Sequence, residues 1–251
     1  MTLSIVIVTF NARADVEACL QSLVDAPPSI PHDVTIVDNA STDGVVQAVA
    51  ANFRGQVLNL EKSGNSRPDP GGGDGVRIIE MGRNVGFAAA NNAGIRATTG
   101  SHVLLLNSDT IVPAGALDAL VARLDATPDA AVAGPRLVDA GGKAELSFGR
   151  MISPLAELRQ KRLAKRRAWI ERETRREQFV DWVSGACLLV RRADAEAVGL
   201  LDERFFLYTE DVDFCAAIRA RGRRVLFTPA AQIVHLRGRS RAALPDRAAA
   251  A

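Results

Sequence analysis

The sequence predicts an α/β fold with a mostly parallel central sheet flanked by helices. Three observations carry that expectation. Short runs rich in Ile, Val and Leu alternate along the first half of the chain with amphipathic or Ala-rich stretches of helical spacing. Three of those runs stop abruptly in polar residues, at Thr9, Asp38 and Asp109, as strands do where they reach the functional carboxyl edge of such a sheet. The 251 residues, 47% of them hydrophobic, are ample for one large core.

Leu3 to Thr9 reads as the first strand, and Ala14 to Leu23 as a helix entered through the polar Thr9-Phe-Asn11. Val34 to Val37 repeats the strand pattern. Its exit, Asp38-Asn-Ala-Ser-Thr-Asp43-Gly, is made of turn and helix-cap residues, and Val45 to Ala51 is the next helix. Val57 to Leu60 and Val76 to Glu80 read as one strand interrupted or flanked by Glu61 to Gly75, a flexible surface loop rich in Gly, Pro and Ser. Asn84 opens an Ala-rich helix that ends near Gly100, after which Val103 to Leu106 is a buried strand running into Asn107-Ser-Asp109-Thr110. A helix from Pro113 to Leu124, a strand near Val132 and a turn at Gly141-Gly142 follow. Leu155 to Gln178 is a charged helical segment, and Phe179 to Val190 is strand-like. After the aromatic-rich Asp202 to Tyr208, Glu210 to Arg221 has helical spacing. Val225 to Phe227 and Ile233 to His235 are the last two strands, and residues 242–251 read as a frayed tail.

A net charge of +2 shows no bias towards nucleic acid, so none is expected as a partner. Cys19, Cys187 and Cys215 are an odd number at wide spacing, which argues against a disulfide framework or a zinc site and fits a cytoplasmic protein. No run approaches the roughly 20 apolar residues of a membrane-spanning helix. Met1 leads directly into the first strand, without a basic start or a small-residue cleavage site. Membrane contact is therefore expected to be peripheral, at the inner face of the cell membrane. The stretch that would make it, basic between 159 and 176, has two readings: a solvated helix with ion pairs through Glu171, Glu173 and Glu177, or a platform for anionic head groups.

Asn107-Ser108-Asp109 offers a carboxylate, an amide oxygen and a hydroxyl at a strand end, oxygen ligands suited to Mg²⁺ or Mn²⁺. Pro113 just beyond makes a helix-capping loop the alternative. Asp38 at the sheet rim suits a hydrogen bond from a pyrimidine N–H, though the same residues form a good turn with no chemistry required. Glu210, Asp211 and Asp213 crowd one helix start after Phe205-Phe-Leu-Tyr208. Their repulsion raises a pKa unless a cation or an acceptor hydroxyl shares the site; a solvated first turn on the helix dipole is the competing account. His235, alone at a strand end, is either a packed histidine or a ligand.

Ser4-Ile-Val-Ile-Val-Thr-Phe-Asn11, Val37-Asp-Asn-Ala-Ser-Thr-Asp-Gly44, Asn84-Val-Gly-Phe87, Leu106-Asn-Ser-Asp-Thr110, Trp182-Val-Ser-Gly-Ala-Cys-Leu-Leu-Val-Arg-Arg192, Phe205-Phe-Leu-Tyr-Thr-Glu-Asp-Val-Asp213 and His235-Leu-Arg-Gly-Arg-Ser240 occur in that order. Together they closely resemble glycosyltransferase family 2, nearest its rhamnosyltransferase-like branch. The joint order covers nearly the whole chain and is far more specific than any one segment.

The resemblance implies a single GT-A domain over 1–241, with a Rossmann-like nucleotide-sugar-binding half over 1–112 and an acceptor-binding half over 113–241. It also implies an inverting single displacement. Thr9, Asn11 and Asp38 match positions that hold the nucleoside, and Asn84, Gly86 and Asn92 match the segment lining the donor site. Asn107, Ser108, Trp182, Ser184 and Gly185 join the substrate-binding set from their matched segments. Asp109 matches the second acid of the family's metal-binding Asp-x-Asp; Asn107 stands in place of the first, so metal affinity is expected to be weaker. Asp211, the second acid of the Glu-Asp pair, matches the general base, with Glu210 as its fallback. His235 matches a position that helps to hold the metal or the diphosphate, so Asp109 and His235 are expected to meet at one divalent ion.

That assignment is chemically coherent. An acceptor hydroxyl attacking the anomeric carbon must lose a proton on one side while negative charge grows on the departing nucleotide diphosphate. One carboxylate and one cation suffice, and no covalent nucleophile is required. By resemblance the favoured donor is dTDP-rhamnose, and the acceptor is a hydroxyl of a glycan or lipid-linked acceptor in polysaccharide or cell-envelope biosynthesis. Two rivals remain. A nucleotidyltransferase shows a Gly-rich phosphate loop with Lys or Arg after the first strand, which Thr9-Phe-Asn-Ala-Arg13 is not. A non-catalytic module of the same fold would have lost its chemistry, whereas Asp38, Asp109 and Asp211 are all present.

Overall fold

A computed structural model describes residues 1–53, 57–62, 76–150 and 167–236. Strands β1 (Leu3–Thr9), β2 (His32–Asp38), β4 (Val76–Glu80) and β5 (His102–Asn107) carry consecutive buried apolar residues, such as Ile5-Val-Ile7, Ile36-Val37, Ile78-Ile79 and Val103-Leu-Leu-Leu106, because both faces of the sheet are covered. Leu3, Ile5 and Ile7 of β1, with Leu104 and Leu106 of β5, enter a core beneath α1 (Arg13–Asp25), α2 (Val45–Asn52) and α4 (Ala116–Asp125). The alternate residues Val6, Val103 and Leu105 enter a second core under α3 (Phe87–Arg96), α6 (Arg192–Ala197) and α7 (Glu210–Ala220). Helix α3 lies so close to β1 that a Cβ on Gly94 would come within 2.4 Å of Val6.

The main sheet has ten strands in the order β3-β4-β2-β1-β5-β11-β7-β12-β6, with β9 beside β12. Its first half, from β3 (Val57–Lys62) to β5, is parallel; β11 (Cys187–Arg191) then pairs antiparallel with β5 and with β7 (Ala130–Val138). The expectation of one interrupted strand at 57–80 is corrected: β3 and β4 are separate parallel neighbours, Leu60 opposite Ile78. Two apolar runs of one character flanking a polar stretch look alike whether they continue each other or lie side by side. The reverse holds at the end of the chain, where the two expected strands are one, β12 (Arg224–His235), irregular between Thr228 and Gln232.

Of the charged segment at 155–178, residues 167–173 form α5 (Arg167–Glu173), and Gln178 already belongs to β9 (Gln178–Val180), where the Arg224 guanidinium covers the Phe179 ring. Glu171 pairs with Arg136 and Arg175, and Glu177 with Arg123. Residues 63–75 of the expected loop, 159–166 of the basic stretch and the tail at 242–251 lie outside the described residues. No helix among the described residues is long and apolar enough to cross a membrane. All three cysteines are buried and free.

The parallel register aligns the strand ends. Thr9 lies opposite Asp38, Asp38 opposite Glu80, and Val8 opposite Asn107. At the other end of the rim, β12 runs parallel to β7, and its last residues pair with β6 (Thr110–Ile111), which sets His235 opposite Thr110. Residues separated by more than a hundred positions thus share one edge.

Candidate functional site

A cleft of about 470 Å³ opens at this edge. Its walls include Asn84 and Gly86 ahead of α3, Asn107, Ser108 and Asp109 after β5, Ser184 and Gly185 ahead of β11, Glu210 and Asp211 at the start of α7, and His235. Asn39, Phe87, Phe206 and Tyr208 also line it and were not among the expected residues. Asn39 had a signal, its place beside Asp38: it donates to Asn84 Oδ1 at 2.8 Å and accepts from Val85 N at 2.9 Å, so it holds the Asn84-Val-Gly turn. Phe206 acts through its carbonyl, which no sequence pattern reports. That oxygen accepts from Phe87 N at 2.7 Å, and Gly86, at φ +89°, is the residue that permits the approach, since a Cβ there would sit 2.7 Å from it.

Other expected residues lie outside those walls. Thr9, Asn11 and Asp38 occupy the neighbouring stretch of rim. Asn11 accepts from Thr42 N at 2.7 Å, Asp38 accepts from Ser41 N at 3.1 Å, and the Thr9 hydroxyl is buried without a hydrogen-bond partner. The structure does not place Asn92 on the donor side. It is buried in α3, where its amide donates to Leu201 O at 2.8 Å and accepts from Leu201 N at 3.0 Å. A buried amide needs such partners, and here they clamp the segment that leads to Glu210. Trp182 packs against the second core from the short pair β8 (Phe148–Gly149) and β10 (Trp182–Val183).

Asp211 accepts Gly185 N–H and Val212 N–H, each at 2.8 Å, so its carboxylate is fixed in direction; burial raises its pKa against those hydrogen bonds. Glu210 is buried, and its Oε2 lacks a partner. Burial, with a further push from Asp211, raises its pKa to about 7. Tyr208 and Thr209, just before the pair, both have φ near +70°, at 69° and 71°, a strained backbone at the mouth of the cleft. Asp213 makes no part of the cleft walls.

Asp109 and His235 do come together. Asp109 Oδ1 is 3.3 Å from His235 Nε2, and Leu236 N donates to Asp109 O at 2.8 Å, so backbone pairing sets the contact. Glu145, which no motif flagged, lies 3.2 Å from His235 Nδ1. Burial disfavours charge on the ring, but hydrogen bonds to the two carboxylates prevail and push its pKa up to about 9.

The family model of Glycosyl transferase family 2 matches residues 4–198. An N-acetylglucosaminyl-diphospho-decaprenol L-rhamnosyltransferase of Mycobacterium tuberculosis is 29% identical over 257 residues, which cover 95% of this chain and 77% of the relative. Among solved structures, GalNAc-T7 with UDP, GalNAc and Mn²⁺ superposes with a TM-score of 0.66 at 16% identity, over 94% of this chain and 44% of that one. The mannosyltransferase PcManGT of Pyrobaculum calidifontis, with GDP-Man and Mn²⁺, does so with a TM-score of 0.61 at 20% identity, over 98% and 58%. At such identities the likeness shows a shared fold.

Proposed function

The chain belongs to glycosyl transferase family 2, with the GT-A fold, and from that premise we propose an inverting, metal-dependent transfer of a sugar from a nucleotide diphosphate to an acceptor hydroxyl. The observation that carries this reading is the pairing of a directed, half-buried carboxylate, Asp211, with the Asp109–His235 contact in one cleft whose described walls hold no Lys or Arg. A diphosphate there needs positive charge from elsewhere. Asp109 and His235 fit a divalent ion: an oxygen and a nitrogen 3.3 Å apart match adjacent ligands of an octahedral shell with bonds of ~2.1 Å, which sit about 3 Å apart. Among the described residues no third His, Cys, Asp or Glu completes a cage, which leaves positions for diphosphate oxygens and water. When bound, such an ion offsets the charge growing on the leaving diphosphate.

Asp211 takes the acceptor proton, Gly185 N–H aims its carboxylate, and burial makes it a stronger base than an exposed aspartate. Thr9, Asn11 and Asp38 are the nucleoside side of the rim, and the exposed Phe206 and Tyr208 are the acceptor side. Rhamnose from dTDP-rhamnose is the favoured donor, supported by the 29% identical rhamnosyltransferase. That relative is named for a diphospho-decaprenol-linked sugar, which favours a lipid-linked acceptor here and peripheral membrane contact through the basic 159–176 stretch. The test is a panel of nucleotide sugars with Mn²⁺ and an N-acetylglucosaminyl-diphospho-lipid. Transfer of rhamnose with inverted anomeric configuration, lost in EDTA, is expected. Retained configuration or an unchanged rate in EDTA contradicts the mechanism, and donor binding without transfer or hydrolysis favours the non-catalytic module.

A further inference from the structure

His235 is gripped from both sides by nearly buried carboxylates, Asp109 at Nε2 and Glu145 at Nδ1. The two ring nitrogens point in different directions, so a group bonded at Nδ1 stands behind the ring, away from an ion shared by Nε2 and Asp109. We infer that Glu145 is a positioning residue: its carboxylate accepts the Nδ1–H of His235, fixes the ring and its tautomer, and presents Nε2 as a bare nitrogen to the divalent ion. This rests on the metal-dependent reading above and adds to it a residue that the family motifs leave out.

The backbone shows that the arrangement is built. Glu145 N donates to Leu137 O at 2.9 Å, and Ala144 bridges Val138, so the segment carrying Glu145 is pinned along β7. β12 pairs with the same residues of β7, Ile233 with Leu137 and Val234 with Val138. One strand therefore sets the distance between Glu145 and His235, while β6 sets that between His235 and Asp109. A carboxylate behind a histidine ligand increases its basicity as well as fixing its orientation, and losing such a partner weakens metal affinity by about 10–100-fold. The effect weighs more here, where Asn107 replaces an acid and Asp109 is the charged ligand left.

The experiment is Mn²⁺ titration of the full chain, with dTDP and with UDP, reading free Mn²⁺ by electron paramagnetic resonance. Glu145→Ala and the longer, apolar Glu145→Met are expected to weaken binding by about 10–100-fold. Glu145→Gln, whose amide oxygen still accepts the Nδ1–H but which lacks the charge, is expected to weaken binding clearly less than either, while Asp109→Asn and His235→Ala lose binding. If Glu145→Ala does not fold, the contrast between Met and Gln decides. Wild-type affinity in Glu145→Ala or Glu145→Met, beside loss in Asp109→Asn and His235→Ala, overturns the role of Glu145 and spares the metal reading. Glu145→Gln as weak as Glu145→Met also overturns it, because accepting the Nδ1–H is then not what matters. A wild-type chain that binds no Mn²⁺ under either condition overturns both.

Discussion

Two acidic clusters at the cleft, each partly or wholly shielded from water, meet the problem of desolvated charge in opposite ways. Asp109 and Glu145 close on a histidine, whose pKa they push up to about 9, so their charge is answered within the protein. Glu210 and Asp211 have no Lys or Arg beside them among the described cleft residues, and burial raises the pKa of both. A compensated cluster can exchange its proton for a metal ion with little rearrangement. An uncompensated one holds on to protons, which is what a general base requires.

The contrast breaks most visibly at Asp211. Asp211→Asn keeps the shape and removes the proton acceptor, so transfer should fall by about 10²–10⁴-fold while affinity for donor and Mn²⁺ persists. Turnover near wild type in that variant, with the loss appearing in Glu210→Gln instead, would exchange the roles of the two acids.

A smaller effect sharpens the comparison at Glu210. Its folded pKa of about 7 lies above the ordinary 4.5, so the folded state binds the extra proton, and wild-type stability falls as pH rises from 4.5 through 7. Gln has no proton to lose. The melting temperature of metal-free Glu210→Gln, measured against wild type, should therefore rise from pH 5 to pH 8 by a few degrees, given that about 1 kcal/mol moves a domain of this size by ~2–4 °C. A difference that stays flat with pH would show that Glu210 is charged in the folded protein at low cost.

Much of this was legible because the physics was local. A strand covered on both faces carries consecutive apolar residues, so the runs within β1, β2 and β5 announced themselves, and the polar residues that end them mark the rim. Two-residue strands such as β6 and β8 carry no periodicity to detect, and whether β3 continues into β4 or pairs with it depends on contacts remote in sequence. At the candidate site, the motifs pointed to Asp109, Asp211 and His235, which line one cleft. They placed Asn92 with the donor, whereas its amide clamps Leu201, since a motif records a residue and not the direction of its side chain. Glu145 stands in a polar stretch after a glycine turn, and its role appears only when β7 and β12 lie side by side.

The central claim is that the two clusters divide the work, the one around His235 holding the ion and Asp211 taking the proton. A crystal structure with nucleotide diphosphate and Mn²⁺ tests it most directly. The account predicts the ion at bonding distance from Asp109 Oδ and His235 Nε2, with diphosphate oxygens in its remaining positions, and Asp211 without metal, facing the site of the acceptor. An ion seated on Glu210 and Asp211, or a His235 ring turned out of the cleft, would contradict it.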